Sequence, residues 1–178
     1  MSEPEIHVRP ARPEDLPALG RLGAEMVRVH HGFDRARFMS PSGDTEAGYA
    51  WFLGTQLDRE EAVVLVAERA GEVLGYVYGG LEPRSWNELR DEAGFIHDVF
   101  VDERVRRRGI ARRLVEAAAE ALEGLGAPRV MLWTAEGNPA AQRLFARLGF
   151  RRTMIEMTRE RGSGAAPRGV EDDTPPEG

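Results

Sequence analysis

The sequence contains no cysteine, which excludes disulfides, thiolate nucleophiles and cysteine-based metal sites. It also lacks any run of the roughly 18 apolar residues that a transmembrane helix requires. The N-terminal segment MSEPEIHVRP lacks the basic and then apolar layout of a secretory signal. The four histidines form no ligand pattern, since the adjacent pair His30 and His31 would point in different directions on a helix. These absences predict a cytoplasmic protein that does not enter a membrane and holds no metal.

The positive charge of this acidic chain is concentrated in one short segment. The formal net charge is −6, which argues against a general nucleic-acid-binding protein, since such proteins are usually basic. Six arginines nevertheless lie in the stretch VDERVRRRGIARRL between Val101 and Leu114, with a glycine among them. Such a stretch is either an ordinary solvated surface or a site for a compact anion.

Hydrophobic periodicity predicts an alternation of strands and helices. A strand around Ile6 and Val8 is followed by a helix from Pro13 to about His31 and by a second helix that begins at Asp44 or Thr45. The later predicted elements are strands at 62–69, 72–82 and 95–102, a helix at 110–125, a strand at 129–134, a helix at 138–149 and a last strand at 151–160. Because the first two of these strands form a hairpin beside strand–helix–strand units, we expect a mixed α/β sheet with helices packed on it.

The composition changes after Arg161. The segment GSGAAPRGVEDDTPPEG is rich in glycine, proline and acidic residues and has almost nothing to bury. The sequence therefore predicts one folded domain over residues 1–161 and a disordered tail over residues 162–178.

The local pattern around the arginines favours the anion site. A strand ends near Val101 and a helix begins near Gly109, so the first N–H groups of that helix point outward without internal partners. The positive end of the helix dipole suits a negative charge at this place. Gly109 has no side chain to keep a ligand away from the backbone. A diphosphate would fit all of these features.

The same residues resemble a known family. RRRGIA (106–111) resembles the acyl-CoA pyrophosphate loop of the GNAT superfamily of N-acetyltransferases, and the strand, loop and helix around it (98–118) resemble that family throughout. NPAAQRLFARLGF (138–150) resembles the family's second signature, and the opening IHVRPARPEDLPAL (6–19) is also typical. The resemblance implies an α/β (α+β) fold with a mixed, twisted central sheet of six or seven strands, flanked by about four helices.

The resemblance also implies acetyl-CoA as the cosubstrate, with its thioester arm between two splayed parallel strands, FIHDVFV (95–101) and RVMLWT (129–134). Free backbone N–H groups of the first strand would pair with the pantetheine arm, and those of the loop would hold the diphosphate. The cofactor-binding residues implied in this way are Val99, Phe100, Val101, Arg106, Arg107, Arg108, Gly109, Ile110, Ala111 and Asn138.

The implied reaction is direct attack of an amine on the thioester, which requires a group that takes a proton from the amine. Where the family usually has a glutamate base, this sequence has His97, followed by Asp98. An unperturbed imidazole titrates near pH ~6.5, which suits a base at neutral pH. Both residues are candidate catalytic groups. The alternatives are a structural histidine and a buried carboxylate paired with an arginine.

Strand alternation separates the side chains of this strand into two sets. We expect Phe95, His97, Val99 and Val101 on one face and Ile96, Asp98 and Phe100 on the other. The family's usual acid is a tyrosine of the second signature, and the matching residue here is Phe145. Because phenylalanine has no proton to give, the sequence assigns no acid for the leaving thiolate.

The acceptor is expected to be a small-molecule or peptide amine rather than a nucleic acid. Glu82 and Glu88 are candidates for attracting a cationic amine, and Trp86 for stacking on it. The leading interpretation is an acetyl-CoA-dependent N-acetyltransferase. The alternative is a non-catalytic CoA-binding regulatory module of the same fold. The sequence leaves the oligomeric state open, with a homodimer among the alternatives.

Overall fold

The computed structural model describes residues 5–162, and the tail predicted over residues 162–178 lies outside them except for Gly162. The strands are β1 His7–Pro10, β2 Ala62–Arg69, β3 Glu72–Glu82, β4 Ala93–Val101 and β5 Val130–Leu132, and the helices are α1 Leu16–Phe33, α2 Thr45–Gly54, α3 Ile110–Gly124 and α4 Pro139–Arg147. The five strands form one sheet in the order β1-β2-β3-β4-β5. The first three pairings are antiparallel, and β4 with β5 is parallel. The predicted mixed α/β fold is therefore confirmed.

The predicted hairpin joins β2 to β3 through a tight turn. Ala70 and Gly71 have φ angles of +51° and +83°, which is the backbone of the two-residue turns that match the twist of paired strands. No helix among residues 5–162 is long and apolar enough to cross a membrane.

Helices cover both faces of the sheet. On one face, α3 and α4 pack a core that includes Ile96, Val101, Leu114 and Phe145. On the other face, α1 and α2 pack a second core that includes Phe100. Apolar side chains of β4 therefore point into both cores, which makes it a buried central strand.

The parallel pairing of β4 and β5 is short. Its register runs only from Gly94 opposite Val130 to Ile96 opposite Leu132, where β5 ends. Strand β4 continues to Val101, so its second half has no strand beside it on that edge among the described residues. The two strands thus separate next to His97, which leaves backbone groups of β4 facing a gap.

A β-bulge interrupts the pairing of β3 with β4. Tyr78 lies opposite Asp98 while the next residue, Gly79, lies opposite Ile96, so His97 has no partner in the register. A Cβ atom at Gly79 would lie 2.5 Å from the carbonyl oxygen of Phe95, so this close approach of the strands requires glycine.

Because of the bulge, the expected assignment of the β4 side chains to the two faces of the sheet is wrong. Ile96, Val99 and Val101 pack with the α3 core, whereas Phe100 packs with the α1 core. The ring of His97 stacks on Phe95, and Asp98 bonds to a tyrosine of α2, so these three side chains lie with Phe100 on the α1–α2 face. An extra residue in a bulged strand shifts every following side chain to the opposite face from that expected.

The expectation of six or seven strands is also corrected, because the described residues contain five. Residues 151–160 form no regular element. Met154, Ile155 and Met157 are 77%, 72% and 81% exposed, so this segment buries no apolar face. Ile155 and Met157 stand two residues apart and would share one face of a strand, yet both are exposed and do not pack on the core.

Candidate functional site

The junction of β4 and α3 begins with a capped turn. The Asp102 carboxylate accepts a hydrogen bond of 3.0 Å from the backbone N–H of Arg104 and also contacts its guanidinium. This guanidinium lowers the pKa of Asp102 to about 2. Arg104 also bonds to Glu72 at 2.9 Å. Arg104 is thus engaged by two carboxylates, so the arginine-rich segment offers less free positive charge than its composition indicates.

The loop after this turn has an unusual backbone. Arg107 and Gly109 have φ angles of +63° and +77°, and α3 begins directly afterwards at Ile110. Left-handed residues next to right-handed ones turn successive N–H groups toward one side, which forms a concave site for anions. A Cβ atom at Gly109 would meet no atom within 4 Å, so the space above the loop is open. The loop thus combines left-handed residues, open space at Gly109 and the start of a helix, which are features that an anion site uses.

Two other arginines of the segment are held in place. The Nε atom of Arg106 donates a hydrogen bond of 3.2 Å to the carbonyl oxygen of Val101, and its guanidinium lies 5.4 Å from the centre of the Phe100 ring. Arg112 pairs with Glu116 one turn later in α3. The side chain of Arg106 thus braces the loop against the end of β4.

Asn138 is the N-cap of α4. Its Oδ1 atom accepts a hydrogen bond of 3.1 Å from the backbone N–H of Ala141. This contact occupies the oxygen and leaves the amide nitrogen as a donor for a ligand.

The imidazole of His97 is held between two other rings. It stacks on Tyr78 at a centroid distance of 5.2 Å and on Phe95 at 4.9 Å, with interplanar angles of 29° and 21°. Its side chain remains 29% exposed. Trp133, the residue after β5, meets Phe95 edge to face at 5.0 Å and is itself 67% exposed. His97 is therefore a fixed but accessible group on an aromatic surface where the two strands separate.

One carboxylate joins His97 to a buried arginine. Oε1 of Glu82 lies 2.7 Å from Nε2 of His97, and its Oε2 accepts a hydrogen bond of 2.8 Å from Arg90. The Arg90 side chain is only 9% exposed. The sequence interpretation gave Glu82 a role in binding substrate but contained no signal for this pairing, which depends on how β3 and β4 meet.

Asp98 has tyrosine partners rather than the expected arginine. Its Oδ2 accepts a hydrogen bond of 2.6 Å from Tyr49 on α2 and one of 3.4 Å from Tyr76 on β3. Burial of the carboxyl group raises the pKa of Asp98, and these hydrogen bonds oppose that effect. No local pattern in the sequence indicates either tyrosine, because Tyr49 on α2 and Tyr76 on β3 approach Asp98 only in the folded chain.

The remaining acceptor candidates share one open pocket. Glu82, Trp86 and Glu88 all line it, together with Arg90. Trp86 is 80% exposed, and Glu88 pairs with Arg90. The structure therefore brings the three predicted substrate residues together in one pocket, and Glu82 connects this pocket to His97.

Phe145, at the position expected to supply an acid, lies in the core. It is 6% exposed and meets Phe150 at a ring distance of 6.0 Å. Its role is packing, as the sequence indicates.

The chain is similar in sequence and in fold to known acetyltransferases. A family model described as "Acetyltransferase (GNAT) family" matches residues 27–150. An uncharacterized N-acetyltransferase of Methanocaldococcus jannaschii is 30% identical over 123 residues, which are 69% of this chain and 52% of that protein. The chain thus spans about half the length of that relative. An uncharacterized N-acetyltransferase of Bacillus subtilis is 27% identical over 146 residues, which are 82% of this chain and 89% of that protein.

A solved structure extends the similarity in fold. The aminoglycoside N-acetyltransferase AAC(6')-Iy, in complex with CoA, matches with a TM-score of 0.70 at 16% sequence identity, over 90% of this chain and 97% of that one. The matched family region contains β4, the loop at 106–111 and α4, which are the elements that build the site. The chain belongs to the acetyltransferase (GNAT) family.

Proposed function

We propose that the protein transfers the acetyl group of acetyl-CoA to an amine by direct attack. The observation that carries this proposal is the position of His97. It lies where β4 separates from β5, on the strand that leads directly into the loop at 106–111. A proton acceptor and a proposed anion site at the two ends of one unpaired strand edge are what this reaction needs.

The residues present fit acetyl-CoA. The backbone N–H groups of the loop at 106–111, with the left-handed Arg107 and Gly109, would hold the diphosphate. The unpaired edge of β4 at Val99–Val101 would bond to the amides of the pantetheine arm in the manner of an added strand. Asn138 would donate its side-chain amide to the same arm. Bound acetyl-CoA supplies the activated acyl group.

His97 is the proposed general base. An amine is mostly protonated at neutral pH, with a pKa near ~10, so the attacking nitrogen must lose a proton. The imidazole is held by stacked rings and remains partly exposed, so it can reach the amine directly or through one water. Backbone N–H groups of β4 would stabilise the charge that develops on the carbonyl oxygen.

The acceptor is proposed to be a cationic amine. The pocket that shares Glu82 with His97 contains carboxylates at Glu82 and Glu88, and the indole of Trp86 is exposed in it. Two arginines also line this pocket, so a cationic amine would compete with Arg90 for the carboxylates and with Arg84 for the indole. A positively charged amine would gain both ionic attraction and a cation–π contact there. Asp98 is not proposed as the base, because two tyrosines enclose its carboxylate.

One observation favours a second candidate, a CoA-binding module without turnover. Phe145 occupies the place of the expected acid and is buried in the core, so it cannot protonate a leaving thiolate. In the leading proposal the thiolate leaves unprotonated or takes its proton from water.

Release of free thiol from acetyl-CoA, measured with a panel of amines, distinguishes the two candidates. The panel should include polyamines, amino acids, aminoglycosides and peptides with a free N-terminus. The acetyltransferase releases CoA only when its amine is present. The regulatory module binds acetyl-CoA, detected as a rise in melting temperature, and releases no thiol with any of them.

A further inference from the structure

We propose that Glu82 is a positioning residue that holds neutral His97 with its proton on Nε2, which leaves Nδ1 free to accept the proton of the amine. This inference rests on the proposed role of His97 as the base. It gives Glu82 a function different from attracting the substrate, and it names the nitrogen that reacts.

The contact between the two side chains favours one tautomer of a neutral ring, because two acceptor atoms without a proton between them repel each other at this distance. A neutral imidazole carries one N–H, and an ionised carboxylate can only accept a hydrogen bond. Because Oε1 of Glu82 lies 2.7 Å from Nε2 of His97, the proton that satisfies both groups is on Nε2. The lone pair of the ring is then on Nδ1. A carboxylate also orients the catalytic histidine of the Ser-His-Asp triad, although there it holds Nδ1–H and leaves Nε2 as the base.

Arg90 keeps Glu82 in this position. It donates to Oε2 of Glu82 at 2.8 Å and, through a second nitrogen, to the carbonyl oxygen of Pro83 at 3.0 Å. The backbone of Arg90 also bonds in both directions with that of Ser85. Its side chain is 9% exposed, so the guanidinium is fixed by the loop that carries it. Arg90, Glu82 and His97 therefore form a connected row in which each group limits the rotation of the next.

The bulge of β4 makes the arrangement possible. His97 is the residue without a partner in the register, while Glu82 is the last residue of β3, opposite Ala93. The rings of Tyr78 and Phe95 fix the plane of the imidazole from both sides. With the plane fixed by stacking and Nε2 fixed by Glu82, the remaining nitrogen has one direction in which to act.

The substitution Glu82→Gln tests the proposal because the amide has one acceptor and one donor end. Arg90 can only donate, so it selects the carbonyl oxygen of the new side chain. The NH₂ group then faces Nε2 of His97. Because this group can only donate a hydrogen bond, it favours a ring whose Nε2 is unprotonated. The substitution should therefore move the proton of the neutral ring from Nε2 to Nδ1, and Nδ1 loses the ability to accept a proton.

The tautomer can be measured directly by NMR with ¹⁵N-labelled histidine, since the chain has only four histidines. In the unaltered protein we expect the neutral ring of His97 to carry its proton on Nε2, and in Glu82→Gln on Nδ1. In the acetylation assay, kcat of Glu82→Gln should fall by roughly 10²-fold, the usual range for losing a general base. The lost carboxylate charge is also expected to raise KM for a cationic amine, so the fall in kcat is the result that identifies the positioning role. Glu82→Asp keeps the negative charge and should recover part of kcat.

Glu72→Gln is the matched control. Glu72 is the first residue of the same strand and also pairs with an arginine, Arg104, at 2.9 Å. It lies at the other end of β3, so its substitution should leave both the tautomer of His97 and kcat unchanged.

Two results would overturn the proposal. One is a neutral His97 that carries its proton on Nδ1 in the unaltered protein. The other is a Glu82→Gln variant with unchanged kcat and a raised KM, which would make Glu82 a substrate contact only. The tautomer is measured without substrate, so this assignment can fail while acetylation is observed, and it can hold while acetylation is not.

Discussion

The phenolic oxygen of Tyr49 lies 2.6 Å from Oδ2 of Asp98, and this contact ties α2 to the residue next to His97. The ring of Tyr49 reaches β4 across Gly23 of α1, where a Cβ atom would lie 2.1 Å from the ring. Helix α2, which packs on the same face of the sheet as His97, is therefore held by a hydrogen bond to the strand that carries the proposed base.

Replacing Gly23 should disrupt the packing of Tyr49 and its hydrogen bond to Asp98. Gly23→Ala places a methyl group inside the Tyr49 ring, so the ring must move, and overpacking of this kind costs about 1–3 kcal/mol of unfolding free energy. Gly48→Ala adds the same methyl group to α2 where no atom lies within 4 Å, and it should be neutral or stabilising. Denaturant unfolding of both variants measures the difference. Equal stability of the two would contradict the close packing of Tyr49 on Gly23.

Asp98→Asn should change how stability depends on pH. Because burial raises the pKa of Asp98, the folded protein keeps this proton to a higher pH than the unfolded chain does. The contribution of this group is therefore most favourable below the ordinary carboxyl pKa and is lost as pH rises through the raised value. Asparagine does not ionise, so the melting temperature of the variant relative to the parent should increase between pH 3 and pH 7.

The same variant tests whether Asp98 acts in catalysis. The amide oxygen that Asp98→Asn introduces can still accept the hydrogen bond of Tyr49, so α2 should stay in place and most of the turnover should remain. A relative melting temperature that decreases toward neutral pH, or a loss of turnover with the fold intact, would contradict the structural role.

His97→Gln should lower kcat/KM by roughly 10²-fold, because glutamine keeps some hydrogen bonding but is not basic at neutral pH. The affinity for acetyl-CoA and the melting temperature should stay nearly unchanged. The parent should lose activity on the acidic side as the imidazole gains a proton, and the variant should lose this limb of the profile. His7→Gln, an exposed histidine on the edge strand β1, is the control. Full activity with an unchanged pH profile would remove His97 from the mechanism.

Gly109→Glu should abolish stabilisation by CoA. It places a side chain and a negative charge in the open space above the loop, where the diphosphate is proposed to lie. The left-handed backbone also makes any side chain strained by roughly 1–2 kcal/mol. Gly126→Glu controls for this strain, because Gly126 is also left-handed with open space around it but follows the other end of α3. A thermal shift with CoA that survives in Gly109→Glu would contradict the location of the cofactor.

The β4–α3 junction could be predicted from the sequence because its signals are local. A β-branched run, a glycine and a helical repeat stand in order within residues 95–125, and each depends only on near neighbours. The hairpin of β2 and β3 was predictable for the same reason, since Ala70 and Gly71 form its turn.

The geometry around His97 depends on contacts between distant residues. The bulge arises where Gly79 allows β3 to approach β4, and alternation along β4 alone assigned the wrong faces. The pairing of Glu82 with His97 needs that bulge as well as the loop that carries Arg90. Arg104 shows the same limit, because its partner Glu72 lies on another strand and meets it only in the folded chain.

The central claim is that the acetyl group passes directly from acetyl-CoA to an amine. Mass spectrometry of the complete reaction, with ¹³C-labelled acetyl-CoA and the amine that gives the highest thiol release, tests it most directly. The account predicts one labelled N-acetyl product for each CoA released and a protein of unchanged mass at every time point. A label that remains in intact acetyl-CoA with every amine of the panel, or that accumulates on the protein, would contradict it.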